Sequence, residues 1–253
     1  MITIKDQKEI EIMRQAGKIL AQIIRELKEN VRPGITTNDL DKLAQELIFK
    51  YKVKPAFLGY GGFPNVLCTS VNETIVHQTP SDYILKNGDI LSLDMGVIYK
   101  GYYSDMAITV PVGEISDEAK VLLRITKKAL NIAIKKVRPG NTIGDIGNTI
   151  QRYVEKRGLN VVKELCGHGI GKELHEDPEI LNYGRRKQGE TLYKGMTLCL
   201  EPMVSMGESK IKKSKDGFGF KTIDGSLSAH YEHTILVTEH GSEVLTSNTN
   251  VLE

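Results

Sequence analysis

From Gln7 onward, apolar residues return every three or four positions. Ile10, Met13, Leu20, Ile24 and Leu27 share one stripe with Gly17, and that period predicts an amphipathic helix. Asp6, followed by Glu9, is a capping-box pair at its start. A second helical run carries Leu40, Leu43, Ala44, Leu47, Ile48 and Tyr51, with Thr36 as N-cap and Asp39 in its first turn, where negative charge suits the helix dipole. Ser116-Asp117-Glu118 opens a third, whose stripe is Val121, Leu122, Ile125, Ala129 and Ile132. Thr142 and Asp145 open a fourth, with Ile146, Ile150, Tyr153 and Val154.

The helices come in pairs, and the pairs repeat. Val31-Arg32-Pro33-Gly34 returns as Val137-Arg138-Pro139-Gly140, 106 positions later, and Thr36, Asp39 and Leu40 match Thr142, Asp145 and Ile146. Asn87-Gly88-Asp89-Ile90-Leu91-Ser92-Leu93-Asp94 then matches Lys194-Gly195-Met196-Thr197-Leu198-Cys199-Leu200-Glu201, 107 positions later. Each is a turn signal followed by an apolar strand that ends on a carboxylate. Two further strands, 107–110 and 234–237, each follow an acid, Asp105 and Glu232. The first match alone could be a common helix-start idiom; two matches at nearly one offset favour a duplicated unit. The expected fold is α+β, two αα-β halves about a pseudo-twofold axis with a central antiparallel sheet covered by helices. It makes a single catalytic domain over residues 1–253, with halves at about 1–112 and 113–253.

Composition narrows the class. A 253-residue chain supports a large core. The net charge of +2 gives no push toward nucleic acid or a membrane surface. No apolar run approaches the ~20 residues of a membrane span, and the N-terminus lacks the apolar core of a signal peptide. Three cysteines, Cys68, Cys166 and Cys199, with no CxxC, indicate neither a disulfide framework nor a cysteine zinc site. A reducing cytoplasm is the expected location.

The candidate chemistry lies in the carboxylates. Asp94 sits among Leu91, Leu93 and Val97, and Glu201 among Leu198, Leu200 and Val204. Any one of Asp94, Asp105, Glu201 and Glu232 could be a structural residue, satisfied by hydrogen bonds or an arginine. Four acids converging on an interior point, with no lysine or arginine in their strands, would repel one another unless some stayed protonated. Divalent cations are the economical remedy. His168 lies in Cys166-Gly167-His168-Gly169-Ile170-Gly171, read as a glycine-rich loop in which the backbone closely approaches a crowded site. Four carboxylates and one imidazole suit Mn, Fe, Co or Zn over Ca. They exceed the needs of one ion, whereas two ions ~3.5–4 Å apart fit the ligand count.

His77, His175, His230 and His233 remain, and surface exposure is the ordinary fate of such residues. Substrate contact is plausible for His77 and His175. His233 should point opposite to Glu232 on a regular strand and is read as structural. There is no GxSxG or HExxH. Cys166 and His168 are too close in sequence to give the geometry of a nucleophile–base pair.

With these residues in place, the chain resembles the methionine aminopeptidases of the creatinase-like "pita-bread" family, in their short bacterial type I form. The motifs are LDMG around Asp94, YYSD ending at Asp105, GHGIG around His168, LEPM around Glu201 and SLSAHYEHT around Glu232. The resemblance implies two divalent metal ions. Asp94 would bind one, Asp105 and Glu232 would bridge both, and His168 and Glu201 would complete the other site. It implies Glu201 as proton shuttle, and His77 and His175 as catalytic substrate contacts. Tyr60, Phe63, Cys68, Leu174 and Phe218 would line the methionine pocket. The implied reaction is removal of N-terminal methionine from nascent proteins and peptides whose second residue is small and uncharged, by a cytoplasmic monomer.

Four residues depart from the usual pattern. Leu174 stands where many relatives carry an aromatic residue, and Phe218 where tryptophan is common. Gln78-Thr79-Pro80 stands where Gly-Ile-Pro is usual. These bear on the pocket and leave the metal ligands intact. Two other readings are weighed. X-prolyl aminopeptidases and prolidases share the ligands but usually carry an extra N-terminal domain, for which the residues before Asp6 leave no room. A binding protein that had lost catalysis would tend to lose ligands, and all five are present. Finally, Lys210, Lys212, Lys213 and Lys215, with Lys221 nearby, read as a solvated loop or as a contact to ribosomal RNA phosphates.

Overall fold

The computed structural model describes residues 2–247. Four helices appear: α1 (Gln7–Asn30), α2 (Thr37–Tyr51), α3 (Asp117–Ile134) and α4 (Ile143–Glu155). Asp6, Thr36 and Thr142 each close a capping box with Glu9, Asp39 and Asp145, so the starts of α1, α2 and α4 follow from local chemistry. Ser116 caps α3 through its side chain. One stripe is broader than expected. On α3 the buried face runs through Ala119, Leu122, Leu123, Thr126, Ala129, Leu130 and Ala133, and Val121 lies off it, 39% exposed.

The duplication recurs in three dimensions. Thr36 bridges to Ile84, and Thr142 bridges to Thr191. The Gly34 N–H donates to the Leu85 carbonyl, and the Gly140 N–H to that of Leu192. Gly88 and Gly195 both adopt positive φ, 100° and 91°, at the turns leading into the matched strands. Helices α1 and α2 pack Leu20, Ile24, Leu27, Leu40 and Leu47 against Leu91, Leu93, Val97 and Val110. Helices α3 and α4 pack Leu122, Ile125, Ala129, Ile146 and Ile150 against Leu198, Leu200, Val204 and Ile235. Each such leucine, isoleucine or valine contributes ~1.5–3 kcal/mol on full burial.

The strand pairings are antiparallel. In one sheet the strand Ile90–Tyr99 pairs with Tyr102–Pro111, Cys68–Val71 and Lys54–Pro55. A five-stranded sheet runs in the order Ser242–Val244, His233–Val237, Thr197–Leu200, Cys166–Gly169, Glu176–Leu181. The two sheets meet at hydrogen bonds that pin their backbones. Thr234 Oγ1 accepts from the Asp105 N–H at 2.9 Å and donates to the Asp105 carbonyl at 2.8 Å, and the Glu232 N–H donates to the Ala107 carbonyl at 2.8 Å.

Three placements differ from the sequence reading. Asp94 does not end its strand and Asp105 does not precede one; both lie inside ten-residue strands. The reason is two-sided burial. Leu91, Leu93, Met95 and Val97 face the helices on one side of the pleat, while Ser92, Asp94 and Gly96 fall on the other. GHGIG is not a loop, because Cys166–Gly169 is a strand. Its glycines serve close approach: a Cβ at Gly167 would lie 2.2 Å from the Cys199 carbonyl oxygen, and one at Gly169 would lie 2.1 Å from that of Asp177. The lysine run is not a loop either, since Ile211–Lys213 pairs with Phe220–Thr222 as a hairpin.

Candidate metal centre

Asp94 and Asp105 come from one hairpin. The register pairs Asp94 with Ala107 and Gly96 with Asp105, so both carboxylates share a face and lie diagonally across the ladder. His168 comes from the strand Cys166–Gly169, directly opposite Cys199. Glu201 immediately follows the strand Thr197–Leu200, and Glu232 immediately precedes His233–Val237. The chain folds these five distant residues into one interior cluster. Asp94, Asp105 and Glu232 offer oxygens within 4.8 Å of one another. His168 Nε2 lies 3.7 Å from Glu201 Oε1 and 4.0 Å from Glu232 Oε1. Glu232 belongs to every grouping around this point: with Asp94 and Asp105, with His168 and Cys199, and with Glu201 and His230.

The electrostatics are severe for protein alone. Burial pushes all four carboxyls upward from their ordinary values. Asp105 adds to the rise at Asp94, Asp94 and Asp105 add to it at Glu201, and all three of its acidic neighbours add to it at Glu232. Asp94 Oδ1 and Glu232 Oε1 are buried without a hydrogen-bond partner among the described residues. Burial also lowers His168, to about 3, which keeps the ring neutral. Its Nδ1 donates to the Gly169 carbonyl at 2.8 Å, so Nε2 presents a lone pair to the Glu201 and Glu232 oxygens. Lone pairs facing lone pairs, with orphaned carboxylate oxygens beside them, fit divalent cations. The hydrogen bond behind the imidazole is the support that metal-ligating histidines have. Cys199 shares one of these groupings, but its Sγ lies against the Thr234 hydroxyl at 3.7 Å.

A cavity of about 230 Å³ opens onto the cluster, lined by Tyr60, Phe63, Cys68, Leu174 and Phe218 together with His77 and His175. Phe63 and Phe218 meet edge to face at 5.5 Å. His77 and His175 lie exposed at its rim. His175 packs edge-on against His168 at 4.3 Å, and its Nδ1 lies 2.7 Å from the Tyr60 hydroxyl. The structure therefore assembles all the residues singled out for the metals, the substrate contacts and the pocket. A larger cavity, about 700 Å³, lies on the far side of His175. Ion pairs Lys5–Glu176 at 2.6 Å and Lys172–Glu9 at 3.3 Å lie along it, whereas the carboxylate cluster lines the smaller cavity.

His233 hydrogen-bonds Thr246 at 2.9 Å, in keeping with its structural reading. His230 does not follow the surface expectation. It is 1% exposed, with Nε2 at 3.4 Å from Glu201 Oε2. Only its position two residues before Glu232 pointed toward the cluster. Asp216 was also missed; it holds the hairpin that carries Phe218.

Comparison with known proteins agrees with this geometry. The model of metallopeptidase family M24 matches residues 11–239. The methionine aminopeptidase of Clostridium perfringens is 49% identical over 97% of this chain and 99% of its own length. Methionine aminopeptidase 1 of Bacillus subtilis is 45% identical over 97% and 99%. The solved methionine aminopeptidase of Thermotoga maritima superposes with a TM-score of 0.97 at 48% identity, covering 98% of this chain and all of that one. The prolidase of Pyrococcus furiosus shares the fold at a TM-score of 0.77 and 23% identity, with 98% of this chain covering 66% of that one. The chain belongs to metallopeptidase family M24, with the α+β pita-bread fold. It is a peptidase, a hydrolase that uses divalent metal.

Proposed function

We propose that this chain removes N-terminal methionine from nascent proteins and peptides whose second residue is small and uncharged. In this reading Asp94, Asp105, His168, Glu201 and Glu232 hold two divalent ions, drawn from Co, Mn, Fe or Zn. The observation that carries it is the place of Glu232 between the two sides of the cluster, with oxygens of Asp94 and Asp105 within 4.8 Å and His168 Nε2 at 4.0 Å, as a bridging carboxylate requires. Bound ions would neutralise the carboxylates, polarise the scissile carbonyl and acidify water.

The remaining roles fall to the protein. Glu201, at the edge of the cluster, accepts a proton and returns it to the leaving amine. In this reading the Tyr60 hydroxyl, 2.7 Å from His175 Nδ1, donates to it and the ring proton sits on Nε2, the tautomer that can donate to a developing oxyanion. His77, across the rim, contacts the substrate. Phe63, Phe218, Leu174 and Cys68 offer an apolar slot suited to an unbranched thioether. Leu174 and Phe218 do not close it, so the departures at these positions alter its shape and not the reaction.

Turnover of Met-Ala-Ser against an Ala-Pro peptide, after chelation and re-addition of each metal, tests this reading. Preference for the methionyl peptide is expected, and faster release from Ala-Pro would instead assign prolidase-type specificity. The same reading places the enzyme in the cytoplasm as a monomer, with exposed Lys210, Lys212, Lys213 and Lys215 against ribosomal RNA. Charge reversal of these four lysines should weaken sedimentation with ribosomes, and unchanged sedimentation would dismiss the contact.

A further inference from the structure

Two imidazoles flank the carboxylates of Glu201 and Glu232, and they are not equivalent. His168 faces one oxygen of each acid, Oε1 at 3.7 Å and 4.0 Å. His230 faces the other, with its Nε2 at 3.4 Å from Glu201 Oε2 and 4.0 Å from Glu232 Oε2. His168 has the Gly169 carbonyl behind it, which holds a proton on Nδ1 and turns the Nε2 lone pair toward the cluster. His230 has no such support. Both its ring nitrogens are buried without a hydrogen-bond partner among the described residues.

A buried imidazole with neither nitrogen bonded is costly. The groups nearest Nε2 are the oxygens of Glu201 and Glu232, which, ionised as metal ligands must be, only accept. A lone pair at Nε2 would repel them, whereas an N–H is attracted. The proton therefore belongs on Nε2, and a nitrogen that carries a proton does not ligate a metal. The 3.4 Å separation is a few tenths of an ångström beyond an ordinary N–H···O bond, a gap that a small side-chain rotation closes.

We propose that His230 is a positioning residue that donates Nε2–H to Glu201 Oε2 and thereby holds Oε1 toward His168 and the metal. The proposal rests on the two-ion reading above. It adds that one face of the centre is a hydrogen-bond buttress and not a ligand. The backbone is suited to the task. His230 is bonded through its N–H and carbonyl to Thr109 Oγ1, at 2.9 Å and 2.8 Å, so the ring is carried on a fixed stem.

The test is calorimetric titration of the chelated protein with Mn²⁺ alone, in the wild type, His230→Gln and His230→Leu. It is paired with ¹⁵N NMR of the histidine rings in metal-free and Zn²⁺-loaded wild type. Expected are two ions in all three proteins. Affinity should be kept within about three-fold in His230→Gln, whose amide can donate, and lowered about 10–100-fold at one site in His230→Leu, as for other outer partners of metal ligands. The His230 ring should show Nε2–H with and without Zn²⁺. Unchanged affinity in His230→Leu, loss of one ion from both variants, or a Zn²⁺-bound Nε2 in the NMR would each overturn the proposal. Fewer than two ions in the wild type would instead overturn the two-ion reading. The NMR readout stands even where a variant fails to fold.

Discussion

Asp216 and Thr79 are joined twice: Asp216 Oδ2 accepts from the Thr79 N–H at 3.0 Å and from the Thr79 hydroxyl at 2.9 Å. The same oxygen accepts from Gln78 Nε2 at 2.7 Å, while Oδ1 accepts from the N–H groups of Phe218 and Gly219. One carboxylate thus ties the segment after His77 to the turn that presents Phe218 to the cavity. It also gives the unusual Gln78-Thr79 pair a physical role. Asp216→Ala should raise KM for methionyl peptides about ten-fold with a smaller change in kcat, since hydrogen bonds to a charged group are worth ~1.5–3 kcal/mol each and such a loss moves the pocket wall. Steady-state kinetics on Met-Ala-Ser would show it, and an unchanged KM would remove Asp216 from the pocket.

Asp41 performs a similar service on the other side. It is 4% exposed and accepts from the N–H groups of Val66 and Leu67 and from the side chains of Asn65 and Gln45. These bonds fasten the approach to Cys68, which pairs with Asp94 in the sheet. Asp41→Ala leaves two buried N–H groups unpaired, at about 1–3 kcal/mol each. A loss of about 3 kcal/mol in urea unfolding is expected, and a loss below about 1 kcal/mol would contradict the assignment.

Glycine at 167 is a steric requirement. Its Cβ would meet the Cys199 carbonyl oxygen at 2.2 Å, in a ladder where His168 pairs with Cys199. Gly167→Ala should cost about 3 kcal/mol or more by overpacking and displace His168. Gly241→Ala is the control, because no atom of the described residues lies within 4 Å of its Cβ position. Thermal unfolding of the two variants should separate them clearly, and equal melting temperatures would contradict the packing argument.

A pH effect is expected between the first two helices. Glu26 accepts from Lys50, Tyr51 and Gln22, and these bonds, Lys50 first, lower its carboxyl from 4.5 to about 2. Between those values the unfolded chain binds more protons than the folded one, so stability rises with pH. The contribution is complete above about 4.5 and fades as pH falls toward 2. Partial solvation keeps it near ~1 kcal/mol. Denaturation of wild type and Glu26→Gln should differ by that amount at pH 7, and the gap should shrink by pH 3. A gap that widens on acidification would contradict the sign.

What could be read from the chain followed the range of the interactions involved. Asp6–Glu9, Thr36–Asp39 and Thr142–Asp145 are bonds within one turn, so the helix starts were legible, and the duplicated turn glycines at 88 and 195 marked the repeat. Asp94 and Glu201 stood out because carboxylates among leucines are anomalous, whereas Asp105, His168 and Glu232 were singled out with them through the motifs that carry the family resemblance. The placement of Asp94 and Asp105 inside their strands was not legible, because a strand buried on both faces loses the alternation that marks its limits. His230 and Asp216 escaped for another reason. Each acts through partners brought together only by the fold, Glu201 in one case and Thr79 in the other.

The convergence of Asp94, Asp105, His168, Glu201 and Glu232 on two cations is most directly tested by anomalous scattering from crystals grown with Mn²⁺. Two peaks ~3.5–4 Å apart are expected, both within bonding distance of Glu232. One peak alone, or peaks remote from these side chains, would contradict it.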